Sequence, residues 1–470
     1  MEGSSRRTVG TRRARPADAA DGRWTRAALA WWGALIAVCV ALGAVLHGLG
    51  VLRIDHLPPL HAHFRVLTIT LIPAAVLAAV AVRVLPQLVR RGGFGRASLV
   101  AYGFALAWTI VLAMSADGLA APFTHRQEYL AVLPAVGDDP LGWLASFTQR
   151  LPEYPTHVRG HPPLPVLVVW ALAAVGLGGP LWAAILVILA GCSATVAIGL
   201  TVRRLAGEEA ARRALPYLAL TPASVWIATT MDAFFAGAGA WGVALLVLGR
   251  STTARTWFAA GAGVLLGALP YLSYGLVPYL LIPVTVAVLV RPPRPAVLAA
   301  LAGAAAVTGV FTAAGFSWLA GVAATHAEWA ADPGAARPYL YFLVANLAVL
   351  ALITGPATTA GLVHAGRHLS RCPAVAAAGR NPRGRIPRAR GAVAVMNLAR
   401  RHGAAAVVAA ALVAVLALDV SGVTRGEVER IWVPFAVWIG VAAAYAPGRR
   451  LLAAQVVTGL LLQGLVASPW

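Results

Sequence analysis

The feature that most constrains this chain is a series of long apolar segments that recur from Ala27 to Val466. Hydrophobic residues make up 59% of the 470 residues and charged residues only 12%, whereas soluble domains carry about 25% charged residues. In lipid, every backbone polar group must be satisfied inside a helix or a closed barrel. Because the apolar runs are continuous and do not alternate with polar residues, they predict helices.

We therefore expect an all-α protein, a polytopic transmembrane helical bundle of about 12–14 spans. Several runs are shorter than the roughly 20 residues that a crossing requires, which is typical of tilted or re-entrant helices. The candidate spans are Ala27–Val51, Phe64–Val84, Ala97–Ser115, Pro163–Leu177, Leu181–Val202, Ala214–Ala228, Ala233–Leu248, Trp257–Tyr274, Gly275–Val290, Ala296–Phe316, Tyr339–Val363, Ala404–Leu418, Ile431–Tyr445 and Leu451–Val466.

The charge pattern indicates membrane lipids as partners and excludes nucleic acid. The formal net charge is +21, and all 38 basic residues are arginines because the chain has no lysine. A basic protein can bind nucleic acid, but these arginines cluster at the ends of apolar runs and in connecting loops, as the positive-inside rule describes. The three cysteines, Cys39, Cys192 and Cys372, form no CxxC pair, so neither a disulfide framework nor a zinc site is indicated.

Charge and composition divide the chain into four parts. We expect a disordered, basic, cytoplasmic N-terminus over 1–26, a transmembrane core over 27–366, an Arg-rich cytoplasmic linker over 367–402 and C-terminal transmembrane helices over 403–470.

A cytoplasmic N-terminus places the loop 117–161 outside, and a cytoplasmic Arg-rich linker places the loop 419–430 outside as well. If every apolar run crossed the membrane, the Arg-rich linker would lie outside. We therefore expect that one apolar run between Pro163 and Val290 does not cross. Which run this is stays open at this stage, and with it the side of residues 203–213 and of Asp232.

The external loop Asp117–His161 is the main polar segment. Its roughly 45 residues exceed a plain connector, and its apolar spacing predicts short amphipathic helices on the membrane surface. The pair Asp138-Asp139 before a proline is typical of a turn. The loop leads into the next span through His161-Pro162-Pro163, where proline suits a helix start.

Three short motifs carry a resemblance to a known family. Glu128-Tyr129-Leu130 followed by His157-Val158-Arg159-Gly160-His161-Pro162-Pro163 resembles the polytopic GT-C glycosyltransferases, in particular actinobacterial ones. Ser273-Tyr274-Gly275-Leu276 and Gly426-Glu427-Val428-Glu429-Arg430-Ile431-Trp432 are similar as well. This chain departs from the family pattern in that its acidic loop follows the third span and not the first, and in that Gln127 stands where the family often has a second acid.

The resemblance implies a GT-C-like fold in the plasma membrane with multiple spans. It also implies an inverting hexosyl or pentosyl transferase of cell wall biogenesis, which moves a sugar from a polyprenyl-phosphate donor to a cell-envelope glycan or lipid acceptor. Such a reaction needs a carboxylate base for the acceptor hydroxyl, cations near the leaving phosphate and an apolar groove for the polyprenyl tail.

These requirements select the candidate residues. Glu128 is the candidate base and Asp117, at a span end, is its competitor. Asp232 is an ionisable group near lipid depth, and such groups are functional candidates by default, although a surface turn fits it equally well. The candidate substrate and phosphate contacts are His157, Arg159, His161, Asp232, Tyr274, Glu429 and Arg430.

Two other interpretations stay open. Asp55, His56, His61 and His63 share the first external loop, and a His-x-His spacing suits a metal in an extended segment, although a plain polar loop explains them as well. A divalent metal therefore has no firm support, and no cofactor is predicted. The alternative function is a transporter or flippase for a lipid-linked or small polar substrate. Transporters often show internal repeats, and we find none here.

Overall fold

The computed structural model describes residues 16–54, 57–249, 251–370 and 402–469, and this part of the chain is almost entirely helical. Its α-helices are α1 Pro16–Gly48, α2 Ile72–Leu88, α3 Phe94–Met114, α4 Leu133–Val136, α5 Pro140–Ser146, α6 Thr156–Arg159, α7 Leu164–Ala174, α8 Pro180–Ala206, α9 Glu208–Ala219, α10 Ser224–Ile227, α11 Asp232–Val247, α12 Thr252–Leu272, α13 Leu281–Val290, α14 Arg294–Ala313, α15 Trp318–Ala331, α16 Tyr339–Thr354, α17 Pro356–Ser370, α18 Gly403–Ser421, α19 Val428–Ile431, α20 Val433–Ile439 and α21 Arg449–Leu465.

Short 3-10 helices and one small sheet complete the described part. The 3-10 helices are Ile69–Leu71, Ala121–Thr124, Tyr129–Val132, Leu151–Glu153, Tyr274–Leu276, Pro278–Leu280, Pro333–Ala336 and Gly440–Tyr445. Strand β1 (His63–Phe64) pairs antiparallel with β2 (Val466–Ala467), which joins the segment after α1 to the end of the chain.

Six helices of the described part are long and apolar enough to cross a membrane: Asp21–Gly48, Ile69–Leu88, Phe94–Met114, Pro180–Ala206, Arg294–Ala313 and Gly403–Ser421. The pair α16 and α17, bent by 103° at Gly355, adds a seventh if it counts as one span. The expected 12–14 spans are thus not reached by full-length helices. Other apolar runs form helices of 10–17 residues, below the roughly 20 residues that cover a bilayer.

Turns that contain arginine residues lie together at one end of the bundle. Arg212 of α9 donates to the backbone carbonyls of Val89 and Gly92. These hydrogen bonds connect the start of α9 to the α2–α3 turn. Gly403, the first residue of α18, packs against the backbone of Leu205. We call this region the basic end. It contains residues 203–213, whose side the sequence left open.

The external loop lies at the opposite end. Helix α3 runs for 21 residues, or about 30 Å, from Phe94 at the basic end to the start of the loop. Trp170 of α7 donates its indole N–H to the carbonyl of Gly137 in the loop at 2.9 Å. Helix α7 has 11 residues, about 17 Å, and stays beside the loop. It therefore does not reach from the loop end to the basic end.

The loop folds into short helices, as its sequence predicts. They are the 3-10 helices from Ala121, Tyr129 and Leu151 together with α4, α5 and α6. Phe147 anchors them, since its ring lies 5.2 Å from Trp143, 5.3 Å from Tyr154 and 5.9 Å from Phe316 between ring centroids. Asp139 caps α5 by accepting from the Gly142 amide at 2.9 Å, which confirms the predicted turn.

Two expected boundaries change or fall outside the described residues. Helix α1 begins at Pro16, inside the segment 1–26 for which the sequence predicts disorder, so helical structure starts before Ala27. Residues 367–370 close α17, and residues 371–401 of the Arg-rich linker lie outside the described residues.

Candidate functional site

A buried ion pair joins two residues of the external loop. His157 on α6 donates from Nδ1 to Oε1 of Glu128 at 2.7 Å, and the two side chains are only 8% and 5% exposed. Glu128 directly precedes the 3-10 helix Tyr129–Val132, and its extended backbone turns the side chain toward α6. The sequence predicted both residues but not their contact.

A second buried ion pair joins distant parts of the chain. Nη1 of Arg430 on α19 lies 3.4 Å from Oδ2 of Asp232, the first residue of α11, and the side chains are 7% and 5% exposed. Arg430 also contacts Glu427 at 3.3 Å, and Glu427 contacts Arg337 at 3.3 Å. Asp232 thus lies at the loop end of the bundle, opposite residues 203–213, and takes part in a chain of alternating charges.

The two pairs influence each other's charge. Burial opposes ionisation of Arg430, but the carboxylates of Asp232, Glu427 and Glu128 outweigh it and raise the pKa of Arg430. Burial likewise opposes ionisation of Glu427, but Arg430, Arg337 and His157 lower its pKa below the usual value. Both groups are therefore ionised at neutral pH. We call Glu128, His157, Asp232, Glu427 and Arg430 the charge cluster.

The backbone before α19 explains how the cluster is assembled. Gly426 and Glu427 both adopt positive φ, +93° and +62°. A Cβ atom on Gly426 would lie 3.2 Å from the ring of Phe342 and 3.3 Å from Nη1 of Arg337. Only glycine combines this conformation with such a close approach. The Gly426-Glu427 turn thereby directs Glu427 and Arg430 back into the bundle.

His161 lies beside the cluster as a neutral group. Its Nδ1 lies 2.8 Å from the backbone carbonyl of His157, so Nδ1 carries the proton and Nε2 is the acceptor. Burial, with the positive charge of Arg430, lowers the pKa of His161 from 6.5 to about 3. This corrects the expected role of His161 as a cationic phosphate contact, because an uncharged ring with its N–H already engaged offers phosphate no donor.

Arg159 and Tyr274 face a different part of the protein. Nη1 of Arg159 pairs with Glu328 of α15 at 3.2 Å, and its carbonyl accepts from Thr325 at 3.1 Å. The Tyr274 hydroxyl packs against Gly321 of the same helix. Arg159 is thus engaged with α15, while His161 lies near Arg430, and a common cavity for Arg159, His161 and Arg430 stays a prediction.

Asp117, the alternative base, lies apart from the cluster. Its side chain is 74% exposed and pairs with Arg65 at 3.3 Å. An exposed pair of this kind is screened by solvent and contributes little. Burial and the contact with His157 therefore favour Glu128 over Asp117 as the proton acceptor.

Glu429 is fully buried next to the cluster. Among the described residues, neither of its carboxylate oxygens accepts a well-formed hydrogen bond. Burial raises the pKa of Glu429 to about 7, an effect that the backbone amides of Glu429 and His61 and the charge of Arg430 only partly offset. Glu429 thus faces the first external loop as a carboxyl group that is easily protonated, which suits a phosphate contact poorly.

The metal interpretation gains no geometric basis. Asp55 and His56 lie outside the described residues. In the parts of the chain that the structure describes, no three His, Cys, Asp or Glu side chains come close enough to hold one ion.

An apolar cavity of about 330 Å³ adjoins the first external loop. Its walls come from α1, α16, α21 and the segment after α1. Leu60 lines this cavity, and the next residue, His61, has its backbone amide close to Glu429. An apolar space therefore lies next to the buried charges. The lining residues include Trp32, Ile36, Val40, Leu57, Pro59, Leu352, Leu461 and Leu465.

Sequence reasoning missed two charged residues of this region. Arg337 precedes Pro338 in a short turn, and Glu328 lies on α15; neither belongs to a recognisable motif. The only available signal was their charge, and charge alone does not show whether a side chain is buried in an ion pair or exposed to solvent.

Comparison with known proteins adds no identity: no family model and no curated protein matches the chain.

Proposed function

We propose that the protein is a membrane glycosyltransferase of GT-C type in the plasma membrane. It would move a sugar from a polyprenyl-phosphate donor to a cell-envelope glycan or lipid acceptor on the outer face, with inversion. One observation carries this proposal: a charge cluster containing both a carboxylate–imidazole pair and a buried arginine lies next to an apolar cavity.

The Glu128–His157 pair supplies the proton acceptor that the acceptor hydroxyl requires. The Glu128 carboxylate lies 2.7 Å from Nδ1 of His157, and a proton taken from the acceptor hydroxyl would be shared between this carboxylate and the imidazole ring. The negative charges of Asp232 and Glu427 act on this ring and would stabilise it. Positioned acid–base groups of this kind typically contribute about 100- to 10,000-fold in rate.

Arg430 supplies the charge that the leaving phosphate requires. Asp232 and Glu427 hold its guanidinium, so its positive charge is fixed within the cluster. Because negative charge on the phosphate grows as the glycosidic bond breaks, a fixed cation in a water-poor site stabilises the transition state more than the ground state.

The apolar cavity suits the hydrocarbon part of a lipid-linked donor. Its lining is almost wholly apolar and formed by helices that a bilayer would surround. A tail in this cavity would bring its phosphate to the first external loop, close to α19.

The transporter alternative draws on the break between α16 and α17, since transporters often use broken helices as binding sites. Here the Gln455 side chain occupies the break: it accepts from the Ala357 amide at 3.2 Å and donates to the Thr354 carbonyl at 2.7 Å. The backbone groups that a substrate would use are therefore already satisfied, which favours the enzyme.

The test is sugar transfer by the purified full-length protein in lipid nanodiscs, supplied with polyprenyl-phosphate hexoses and pentoses and an extracted cell-envelope acceptor. We expect Glu128→Gln to lower turnover by about 100- to 10,000-fold with an unchanged elution profile. Asp117→Asn, the same chemical change at an exposed site, should keep normal turnover. Normal turnover in Glu128→Gln, or transfer by no donor, would refute the proposal.

A further inference from the structure

A buried polar site lies where α16 meets the end of α18. Asp419 is 1% exposed and occupies the last turn of α18, and Asn346 of α16 is also 1% exposed. The Asn346 amide donates at 2.9 Å both to Oδ1 of Asp419 and to the carbonyl of Thr424. These two oxygens are thus bridged by a single nitrogen and lie within two hydrogen-bond lengths of each other.

Two oxygens at this place lack a partner in the described part of the chain. They are Oδ2 of Asp419 and Oγ1 of Thr424, both buried. An unpaired buried polar atom destabilises the fold, and a buried carboxylate with a single neutral donor does so more strongly. The pair of oxygens therefore favours a ligand that satisfies both.

The charge of Asp419 is also uncompensated. A carboxylate at the C-terminal end of a helix faces the negative end of the helix dipole. No ion pair to Asp419 occurs among the described residues. Arg425, the nearest arginine in sequence, donates instead to the carbonyls of Gly422 at 2.9 Å and Arg337 at 3.0 Å. The local field therefore favours a cation.

We propose that Asp419, Thr424 and Asn346 bind a monovalent metal cation of the Na⁺ class. Oδ2 of Asp419 and Oγ1 of Thr424 would be ligands, and the Thr424 carbonyl, with a second lone pair, is within reach. A single carboxylate balances one positive charge, whereas divalent ions usually take more than one carboxylate. A proton shared between Oδ2 of Asp419 and Oγ1 of Thr424 would satisfy the same oxygens but would give no response to sodium.

The site is connected to the charge cluster but independent of any transfer reaction. Asn346 also accepts from the Gly426 amide at 3.3 Å, and Gly426 begins the turn that directs Glu427 and Arg430 inward. A bound cation would therefore fix the 422–427 segment and, through it, the position of α19. This inference stands whether or not the protein is a glycosyltransferase.

The experiment measures the thermal unfolding midpoint of the purified full-length protein, with NaCl replaced stepwise by N-methyl-D-glucamine chloride at constant ionic strength and pH. We expect NaCl to raise the midpoint saturably, by about 2 °C or more. Asp419→Asn should abolish the rise, and Asp117→Asn, the same charge change at an exposed site, should retain it.

Thr424→Val provides the second arm, because it removes one ligand and keeps the side-chain shape even if Asp419→Asn fails to fold. It should shift the midpoint of the NaCl titration to about tenfold higher concentration, roughly the loss of one ligand contact. Equal unfolding midpoints of the wild-type protein in the two salts would overturn the proposal. So would a sodium response that survives both substitutions at wild-type concentration.

Discussion

Among the described residues, most buried charged side chains contact a side chain of opposite charge. Arg430 is flanked by Asp232 and Glu427, and His157 by Glu128. A buried charge without such a partner would cost several kcal/mol. Glu429 departs from this arrangement, since it is fully buried and its own neighbours include the like charge of Glu427.

Glu429 should make stability fall as pH rises. Its pKa is about 7 in the folded protein and 4.5 in an exposed chain, so between these values the folded state holds a proton that the unfolded state releases. The contribution of Glu429 is therefore most favourable below pH 4.5 and is lost as pH rises through 7. By linkage, the free energy of unfolding should fall by roughly 3 kcal/mol over this window.

The check is the thermal midpoint of wild-type protein and Glu429→Gln from pH 4.5 to 8. Glu429→Gln should flatten this part of the profile, because a neutral amide does not titrate. Glu153→Gln serves as the control, since the Glu153 side chain is 61% exposed and paired with Arg150. Parallel profiles for wild type and Glu429→Gln would contradict the shifted pKa.

At the scale of elements, the break between α16 and α17 requires hydrogen-bond partners from outside the two helices. The helices meet at 103°, and Gly355 there has a φ of +84°. A break inside an apolar bundle exposes backbone groups that no lipid can satisfy. The buried Gln455 of α21 accepts from the Ala357 amide and donates to the Thr354 carbonyl, which also accepts from the Thr358 hydroxyl at 2.8 Å, so a side chain on another helix helps to stabilise the bend.

Gln455→Leu should therefore destabilise the protein by about 1–3 kcal/mol, since it leaves the buried Ala357 amide without a partner, whereas the Thr354 carbonyl keeps the Thr358 hydroxyl at 2.8 Å. Denaturant titration in mixed micelles would measure the free energy of unfolding. Gln87→Leu is the matched control, the same change at an exposed position of α2, and should alter stability by less than about 0.5 kcal/mol. Equal effects of the two substitutions would show that Gln455 does not hold the break.

At the scale of the whole molecule, the two ends of the bundle differ in charge and contacts. The basic end holds the arginines of the α2–α3 and α8–α9 turns, and the loop end holds the charge cluster. The positive-inside rule predicts that the basic end lies in the cytoplasm and the charge cluster on the outer side.

Cysteine labelling in intact cells tests this orientation. In a Cys372→Ser background, with Cys39 and Cys192 buried, Asp138→Cys should react with a membrane-impermeant maleimide. Arg90→Cys, at the basic end, should react only after permeabilisation. Both positions are exposed in the structure, so accessibility reports the side of the membrane and not burial. The reverse labelling pattern would place the charge cluster in the cytoplasm.

The sequence by itself determined the helical class, the segmentation of the apolar runs and the short helices of the loop 117–161. These follow from local composition, because apolar runs in lipid must be helical and Asp-Pro and His-Pro-Pro are local helix-start signals. It also identified Glu128, His157, Asp232 and Arg430 as candidates, because charge is rare in such a chain and each charged residue stands out.

Only the tertiary structure decided which candidates meet. Asp232 and Arg430 are 198 residues apart, and no local pattern encodes their contact. The exposure of Asp117, the pairing of Arg159 with Glu328 and the loss of charge on His161 depend on which helices pack around each side chain. The number of full-length spans also depends on packing, since short apolar helices are stable where neighbouring helices cover their ends.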